Sequence, residues 1–236
     1  MTDLSQLYAV QELDTRLDLL RYQRVHLPER AALAEANAAI TATDAALKAN
    51  STRQDALTAQ FTQQEQRTKQ LETRRTKLEA QLRTIVVPRE AEALQREIAA
   101  TKTEHEAADE EGIVVLDELE TLSAQADELN AARSRQQGTA DEATAALAAA
   151  EADVDAQIAA ATVERAAAAG LVPEALVARY EALRPSFKGV ALARLEGSMC
   201  TGCHMNLSRV EFEAVRAALE RGEGPECPQC GRLLVR

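Results

Sequence analysis

Ile85-Val86-Val87-Pro88-Arg89 is the segment that decides the fold, because it interrupts a long helical pattern that runs from Leu33 to Val154. Proline has no backbone N–H to donate within a helix, and its ring disfavours helical backbone angles at the preceding residue, here Val87. The sequence therefore predicts that one helix ends and another begins within residues 85–90.

Apolar residues recur with a 3-4 spacing on both sides of this break. That spacing places them on one stripe of a helix, which is the pattern of a coiled-coil seam. The seam positions are Leu33, Ala36, Ile40, Leu47, Leu57, Phe61, Leu71, Leu78, Leu82 and Ile85 before the break, and Leu94, Ile98, Ala108, Val115, Leu119, Leu122, Ala126, Leu129, Ala140, Ala143, Leu147, Ala150 and Val154 after it. Two seams of similar length joined by a short break predict an antiparallel helical hairpin.

Two irregularities are expected within the two helices of the hairpin. With the turn centred near Val87, Phe61 falls opposite Gly112, which pairs a large side chain with the smallest residue, so the seam closes or bends there. An earlier apolar frame ends at Pro28 and is out of register with the next, which predicts a kink. That frame consists of Val10, Leu13, Leu17, Leu20 and Leu27.

The composition fits long helices better than a broad globular core. The 236 residues contain no Trp, three Phe and three Tyr. No apolar run reaches the ~18–20 residues needed to cross a bilayer, so no membrane role is expected. Met1-Thr2-Asp3-Leu4-Ser5-Gln6 lacks the basic and apolar regions of a signal peptide, and we therefore expect a cytoplasmic protein.

All four cysteines lie near the end of the sequence in two C-x-x-C pairs, Cys200/Cys203 and Cys227/Cys230. Each pair can aim two sulfurs at one point, so the pairs together can supply a tetrahedral, closed zinc site. The sequence predicts one structural Zn²⁺ per chain. An iron–sulfur centre and a redox-active dithiol are the alternatives, and His204 could replace one thiolate.

The segments around the cysteines predict a small mixed domain. Pro173 suits the start of a short helix through Tyr180, and residues 190–195 and 233–235 are patterned as strands. Ser208-Arg209-Val210-Glu211 is a capping box that opens a further helix, which Gly222 ends. We therefore predict a mainly α protein with an antiparallel coiled-coil helical hairpin over residues 1–170 and a small α+β four-cysteine zinc ribbon with a lead-in helix over residues 171–236.

Charge is distributed unevenly along the hairpin. Basic residues cluster around the turn, and the stretch Glu104–Glu128 contains acids but no lysine or arginine. A solvated helix face explains both runs; a docking point for an acidic partner or phosphates is the alternative for the basic run. The net charge of −11 argues against general polyanion binding by the whole chain.

The order of these parts is similar to that of the bacterial C4-type zinc ribbon proteins with a long N-terminal coiled-coil hairpin. The resemblance rests on residues 87–98, on the Pro173/Tyr180 helix and on the ending Cys227-Pro228-Gln229-Cys230-Gly231-Arg232-Leu233-Leu234. Members of that family are described as nucleic-acid-binding or regulatory adaptor proteins, some linked to transcription and motility. The resemblance implies a metal role for the four cysteines and no catalytic activity.

Two functions are consistent with this sequence, and neither is enzymatic. In the first, ribbon and coiled coil dock other proteins, with the ribbon surface around Met199, Met205, Leu207 and Phe212 as a candidate contact. In the second, the ribbon binds RNA or DNA through arginines. The candidate arginines are Arg194, Arg209, Arg216 and Arg232, together with Arg221 and Arg236. The acidic hairpin and the scarcity of ribbon aromatics for base stacking favour protein docking.

Overall fold

A computed structural model describes residues 5–235 of the chain. Met1–Leu4 and Arg236, which enter the expectations above, lie outside the described residues. The described part contains five α-helices and three short strands: α1 Ser5–Val25, α2 Pro28–Leu82, α3 Pro88–Ala169, α4 Glu174–Leu183, β1 Leu192–Glu196, β2 Met199–Cys200, α5 Arg209–Arg221 and β3 Leu233–Val235. A 3-10 turn, Arg184–Phe187, follows α4.

These residues pack as two compact units, whose limits fall inside α2 and α3. One unit is Ala32–Ala143, and the other contains the described residues up to Ala31 and those from Thr144 onward. The domain boundary expected at residue 170 stays a prediction.

The unit Ala32–Ala143 is an antiparallel pair formed by α2 and α3. The ion pairs Arg53–Glu118 and Arg74–Glu97 show the antiparallel direction, because the partner on α2 has a higher residue number where the partner on α3 has a lower one, and both approach the turn. The seam positions predicted within this unit are buried or half-buried, which confirms the coiled-coil hairpin. Residues 83–87 separate the helices, and α3 begins at Pro88, as expected of proline at a first helical position.

Two polar residues of this seam form hydrogen bonds across it. Asn50 Nδ2 donates to the backbone oxygen of Leu122 at 3.0 Å, and Thr43 Oγ1 donates to Gln136 Oε1 at 2.9 Å. Such bonds form in only one register, so they align the two helices. Near the turn, Arg75 pairs with Glu79 along its own helix, and Arg74 pairs with Glu97 of α3.

The other unit joins α1, the end of α3 and the C-terminal domain. Leu17 and Leu20 of α1 are buried against Val154 and Ala161 of α3. Helix α1 ends at Val25 and α2 begins at Pro28, so the predicted interruption near Pro28 is confirmed as a break between two helices. None of the helices between residues 5 and 235 combines the length and hydropathy that a membrane span requires.

The strands form one small sheet with the order β2-β1-β3. Strand β1 is antiparallel to β2 and parallel to β3, with Leu192 opposite Leu233 and Leu195 opposite Cys200. Helix α5 begins at the capping box that the sequence predicts: Glu211 N donates to Ser208 Oγ, and Ser208 N donates to Glu211 Oε2. It ends at Gly222, whose φ of 73° is left-handed and suits glycine.

Candidate metal centre

The sheet brings the two C-x-x-C segments together. Cys200 ends β2, which pairs with β1, and Cys227 follows Glu226, which forms a bridge with Leu233 at the start of β3. Strands β2 and β3 flank the same strand, β1, and the two cysteine pairs that they carry or adjoin come together in one cluster.

Each cysteine pair is held in a tight turn by its own backbone. His204 N donates to the oxygen of Cys200 at 2.7 Å, and Gly231 N donates to that of Cys227 at 2.8 Å. Gly202 must lack a side chain, because a Cβ there would lie 2.9 Å from Cβ of Ala193 and 2.8 Å from Cδ of Arg232. The turn can therefore press close against β1.

The four sulfurs are spaced as a tetrahedral metal site requires. All four lie within 4.8 Å of one another, and Cys203 Sγ is 3.9 Å from Cys227 Sγ. Zn–S bonds of ~2.3 Å in a tetrahedron separate the sulfurs by ~3.8 Å, so a small contraction accommodates zinc. Four thiolates fill the coordination shell and leave no position for a substrate, so the predicted single structural Zn²⁺ is the cofactor that this C4 site fits.

The environment of the thiols shows why a cation is needed there. Burial raises the pKa of the Cys227 thiol to about 12 and also raises the pKa of Cys200. For Cys230 burial acts in the same direction, but the backbone N–H of Arg232 and the neighbouring thiols bring its pKa below the usual value. Clustered sulfurs cannot all ionise without a positive charge between them, and Zn²⁺ supplies that charge.

His204 lies beside this centre, on the solvent side. Its backbone is left-handed with φ 57°, and its side chain is exposed. Among the described residues, the group able to hold a metal ion consists of the four cysteines alone. The geometry is that of a loop histidine rather than a ligand.

Three of the four arginines proposed to bind a partner are held by contacts within the chain. Arg232 donates to the backbone oxygens of Val190 and Gly202 at 3.0 and 3.1 Å and lies over the Phe187 ring. The guanidinium carbon of Arg194 lies 4.5 Å from the centre of the Tyr8 ring. Arg216 pairs with Glu213 and Glu220 along α5, and Arg221 pairs with Glu223.

Arg209 differs from these residues. It is exposed at the start of α5 and forms no ion pair with any residue between 5 and 235. The role of these arginines in binding stays a prediction.

The expectation that Leu207 contributes to an exposed ribbon surface is wrong. Leu207 is 5% exposed and belongs to the core, with Phe212 packed against the same cluster. The two residues flank the capping box at the positions of a hydrophobic staple, which explains their burial. Met205 and Val210 are the apolar residues that this surface exposes, by 54% and 81%.

Two buried polar residues of α1 were missed in the sequence. Gln11 accepts a hydrogen bond from Leu192 N at 2.6 Å, so its amide pairs with the backbone of β1. Asp14 accepts from the Tyr180 hydroxyl at 3.0 Å and from Arg165 at 3.3 Å. The signal was present, because Leu7, Val10, Asp14 and Leu17 follow a 3-4 spacing that gives Asp14 a seam position.

Comparisons with known proteins agree with this architecture. The profile of the CT398-like coiled coil hairpin domain matches residues 10–188, and that of the C4-type zinc ribbon domain matches residues 199–234. No curated protein gives a significant sequence match.

Three solved structures share the fold. A Mycobacterium smegmatis protein aligns over the whole of both chains with a TM-score of 0.80 and 23% identity. CT398 from Chlamydia trachomatis aligns over 98% of this chain and 96% of its own, with a TM-score of 0.73 and 21% identity. HP0958 from Helicobacter pylori aligns over 98% of this chain and 96% of its own, with a TM-score of 0.56 and 20% identity.

The hairpin profile spans well over half of the sequence, and the ribbon profile spans the four clustered cysteines. This chain therefore belongs to the CT398-like coiled-coil hairpin family and carries a C4-type zinc ribbon over residues 199–234.

Proposed function

We propose that this protein is a non-enzymatic adaptor, which docks other proteins through its coiled coil and its zinc ribbon. The closed four-cysteine site supports this, because a metal with a complete ligand shell stabilises a fold and does not bind a substrate. The long hairpin adds helical surface on which a partner helix can lie.

We favour a protein partner over nucleic acid because most of the candidate arginines of the ribbon already form contacts within the chain. A phosphate contact requires a guanidinium that is free to displace counterions. Arg232 is committed to two backbone carbonyls, and Arg216 and Arg221 are neutralised by neighbouring glutamates. These arginines therefore provide less positive charge for binding phosphates than their number suggests.

The same surface exposes apolar side chains. Val210 lies within the capping box that opens α5, Met205 lies just before that box, and both are more than half exposed. Aliphatic and methionine side chains are typical anchors for protein partners, whereas single-stranded nucleic acid prefers aromatic platforms.

RNA binding is the second candidate, and Arg209 is the observation in its favour. Its guanidinium is exposed, on the same turn of α5 as Val210. A ribbon that binds RNA must use this arginine together with others released from their present contacts.

The two functions are separated by matched variants of the full-length, zinc-loaded protein. One variant removes apolar contacts, Met205→Ser with Val210→Ser; the other reverses charge, Arg209→Glu with Arg216→Glu. Each is tested for photo-crosslinking to proteins in nuclease-treated lysate and for filter binding to cellular RNA at low and high salt. We expect the serine variant to lose specific protein crosslinks. Tight, salt-sensitive RNA binding that only the glutamate variant loses would refute the proposal.

A further inference from the structure

Helix α3 exposes three large aliphatic side chains in succession, around one buried seam residue. Ile113, Val114 and Leu116 are 62%, 65% and 47% exposed, while Val115 between them is buried in the seam. Outward-facing positions of a solvated helical hairpin are normally polar. A contiguous aliphatic patch at such positions indicates a contact surface.

A groove between α2 and α3 adjoins this patch. It has a volume of about 560 Å³ and is lined by Phe61, Thr68, Ala108, Gly112, Ile113 and Leu116, among others. We call these six residues the Phe61 groove. It exists because two successive seam positions of α3, Ala108 and Gly112, are small and leave space beside the Phe61 ring.

The α3 side of the groove is strongly negative, while the α2 side contributes Lys69 as well as Glu65 and Glu72. Residues 104–128 contain ten aspartates and glutamates and no lysine or arginine. Glu111 and Glu118 of this stretch pair with arginines of α2. Glu110, Asp117 and Glu120 form no ion pair with any described residue and are exposed. Glu110 and Asp117 lie one helical turn on either side of Ile113 and Val114, so the aliphatic patch is bordered by unneutralised carboxylates.

We propose that the Phe61 groove and the adjoining acidic face of α3 bind an amphipathic helix of a partner protein, with an aliphatic face and flanking lysines or arginines. This inference rests on the proposed adaptor function and names one docking site for it. An aliphatic side chain of the partner enters the groove beside Phe61 and covers Ile113 and Leu116. The basic residues of the partner meet Glu110, Asp117 and Glu120.

Charge complementarity selects this occupant over two others. A second copy of the chain packed face to face would set this acidic stretch against itself, and like charges repel; a second copy docked by its basic turn would give a dimer, which the test below detects. An anionic lipid surface or a phosphate backbone is repelled for the same reason. A basic amphipathic helix of a partner satisfies both the aliphatic patch and its acidic border.

The test uses a defined probe, a fluorescent peptide of about 18 residues with leucines along one helical face and lysines elsewhere. Its anisotropy is measured with the full-length, zinc-loaded protein. We expect Ile113→Gln with Leu116→Gln to weaken binding about tenfold, because the aliphatic anchors lose their contact. Glu110→Gln, Asp117→Asn and Glu120→Gln together should weaken binding at low salt, with a smaller effect at high salt.

Matched variants elsewhere control for general stickiness. Val163→Gln removes another exposed aliphatic side chain, and Asp141→Asn, Glu142→Gln and Asp153→Asn together remove three exposed charges. Both controls should bind the probe as the wild type does. A peptide with glutamates in place of the lysines should not bind. Glutamine is a good helix former, and far-UV circular dichroism checks that each variant folds.

Three outcomes would overturn the inference. They are no binding of the lysine peptide, equal weakening by the control variants, and a wild-type dimer that Ile113→Gln with Leu116→Gln dissociates. If the peptide fails to bind while protein crosslinks from the ribbon surface persist, the groove is wrong and the adaptor function stands. If the peptide does not bind and the ribbon surface gives no protein crosslinks, both the groove and the adaptor function are wrong.

Discussion

Phe61 of α2 faces Gly112 of α3 across the coiled-coil seam, where a Cβ placed on Gly112 would lie 3.9 Å from Cε2 of the Phe61 ring. That separation is an ordinary van der Waals contact, so the seam has room for a methyl group but remains open beside the ring. The expectation that these two residues oppose each other is confirmed, but the seam does not close there, and the Phe61 groove lies beside the ring.

Replacing Gly112 with alanine should stabilise the hairpin by about 1 kcal/mol, because alanine is the better helix former and its methyl group fits against Phe61. Thermal unfolding followed by circular dichroism measures this. Gly138→Ala is the matched control, since a Cβ at that helical position meets nothing within 4 Å. A destabilised Gly112→Ala beside a stabilised Gly138→Ala would contradict the geometry of the seam.

Removing the metal should unfold the ribbon and leave α2 and α3 helical. Structural zinc contributes ~10–16 kcal/mol of apparent binding free energy in small modules, more than the small sheet could replace. Metal analysis should find one zinc per chain, and chelation or Cys227→Ser should abolish amide protection in β1 and β3. Retained protection in metal-free protein would show that the sheet does not depend on zinc.

The buried Asp14 should matter far more than exposed ion pairs of the same unit. Asp14→Ala leaves the guanidinium groups of Arg165 and Arg184 without their shared carboxylate, at a cost of about 3 kcal/mol. Glu164→Ala removes an exposed partner of Arg16 and should cost less than about 1 kcal/mol. Hydrogen exchange in α1 and α4 distinguishes the two variants. Equal effects would mean that Asp14 is solvated.

Because Tyr180 is buried, we expect the folded protein to lose stability at alkaline pH. Burial, and then the charge of Asp14, raise the pKa of Tyr180 above its ordinary value. The raised pKa means that the fold favours the neutral phenol, so its contribution is complete below pH ~10 and is lost as the pH rises further. Tyr180→Phe has no phenol to ionise and should show a flatter alkaline profile. Parallel unfolding profiles of wild type and variant above that pH would argue against the buried phenol.

Arg232 should behave as a structural residue and Arg209 as a surface residue. Arg232→Ala leaves two backbone carbonyls without their donor and removes the contact with Phe187, which should cost about 1–3 kcal/mol. Arg209→Ala should change stability by no more than about 0.5 kcal/mol. Amide exchange of β1 measures both. An Arg232→Ala variant as stable as the wild type would return this residue to the candidates for partner binding.

The sequence by itself determined the parts that depend on local chemistry. The 3-4 spacing, Pro88, the capping box and the paired cysteines each act over a few residues, so the hairpin, the start and end of α5 and the zinc centre could be predicted from neighbouring positions. Even the opposition of Phe61 and Gly112 followed from counting outward from the turn.

Only the tertiary structure decided which polar side chains serve the interior. Gln11 and Asp14 are buried because β1 and Tyr180, more than 160 residues away in the sequence, present unpaired backbone and hydroxyl groups to α1. The arginines show the same limit. The sequence gives the charge of each arginine, but only the folded chain shows whether its guanidinium already contacts a backbone carbonyl, an aromatic ring or a carboxylate. Such contacts join distant segments: the local spacing places Asp14 on the seam face of α1, but only the folded chain supplies its partners.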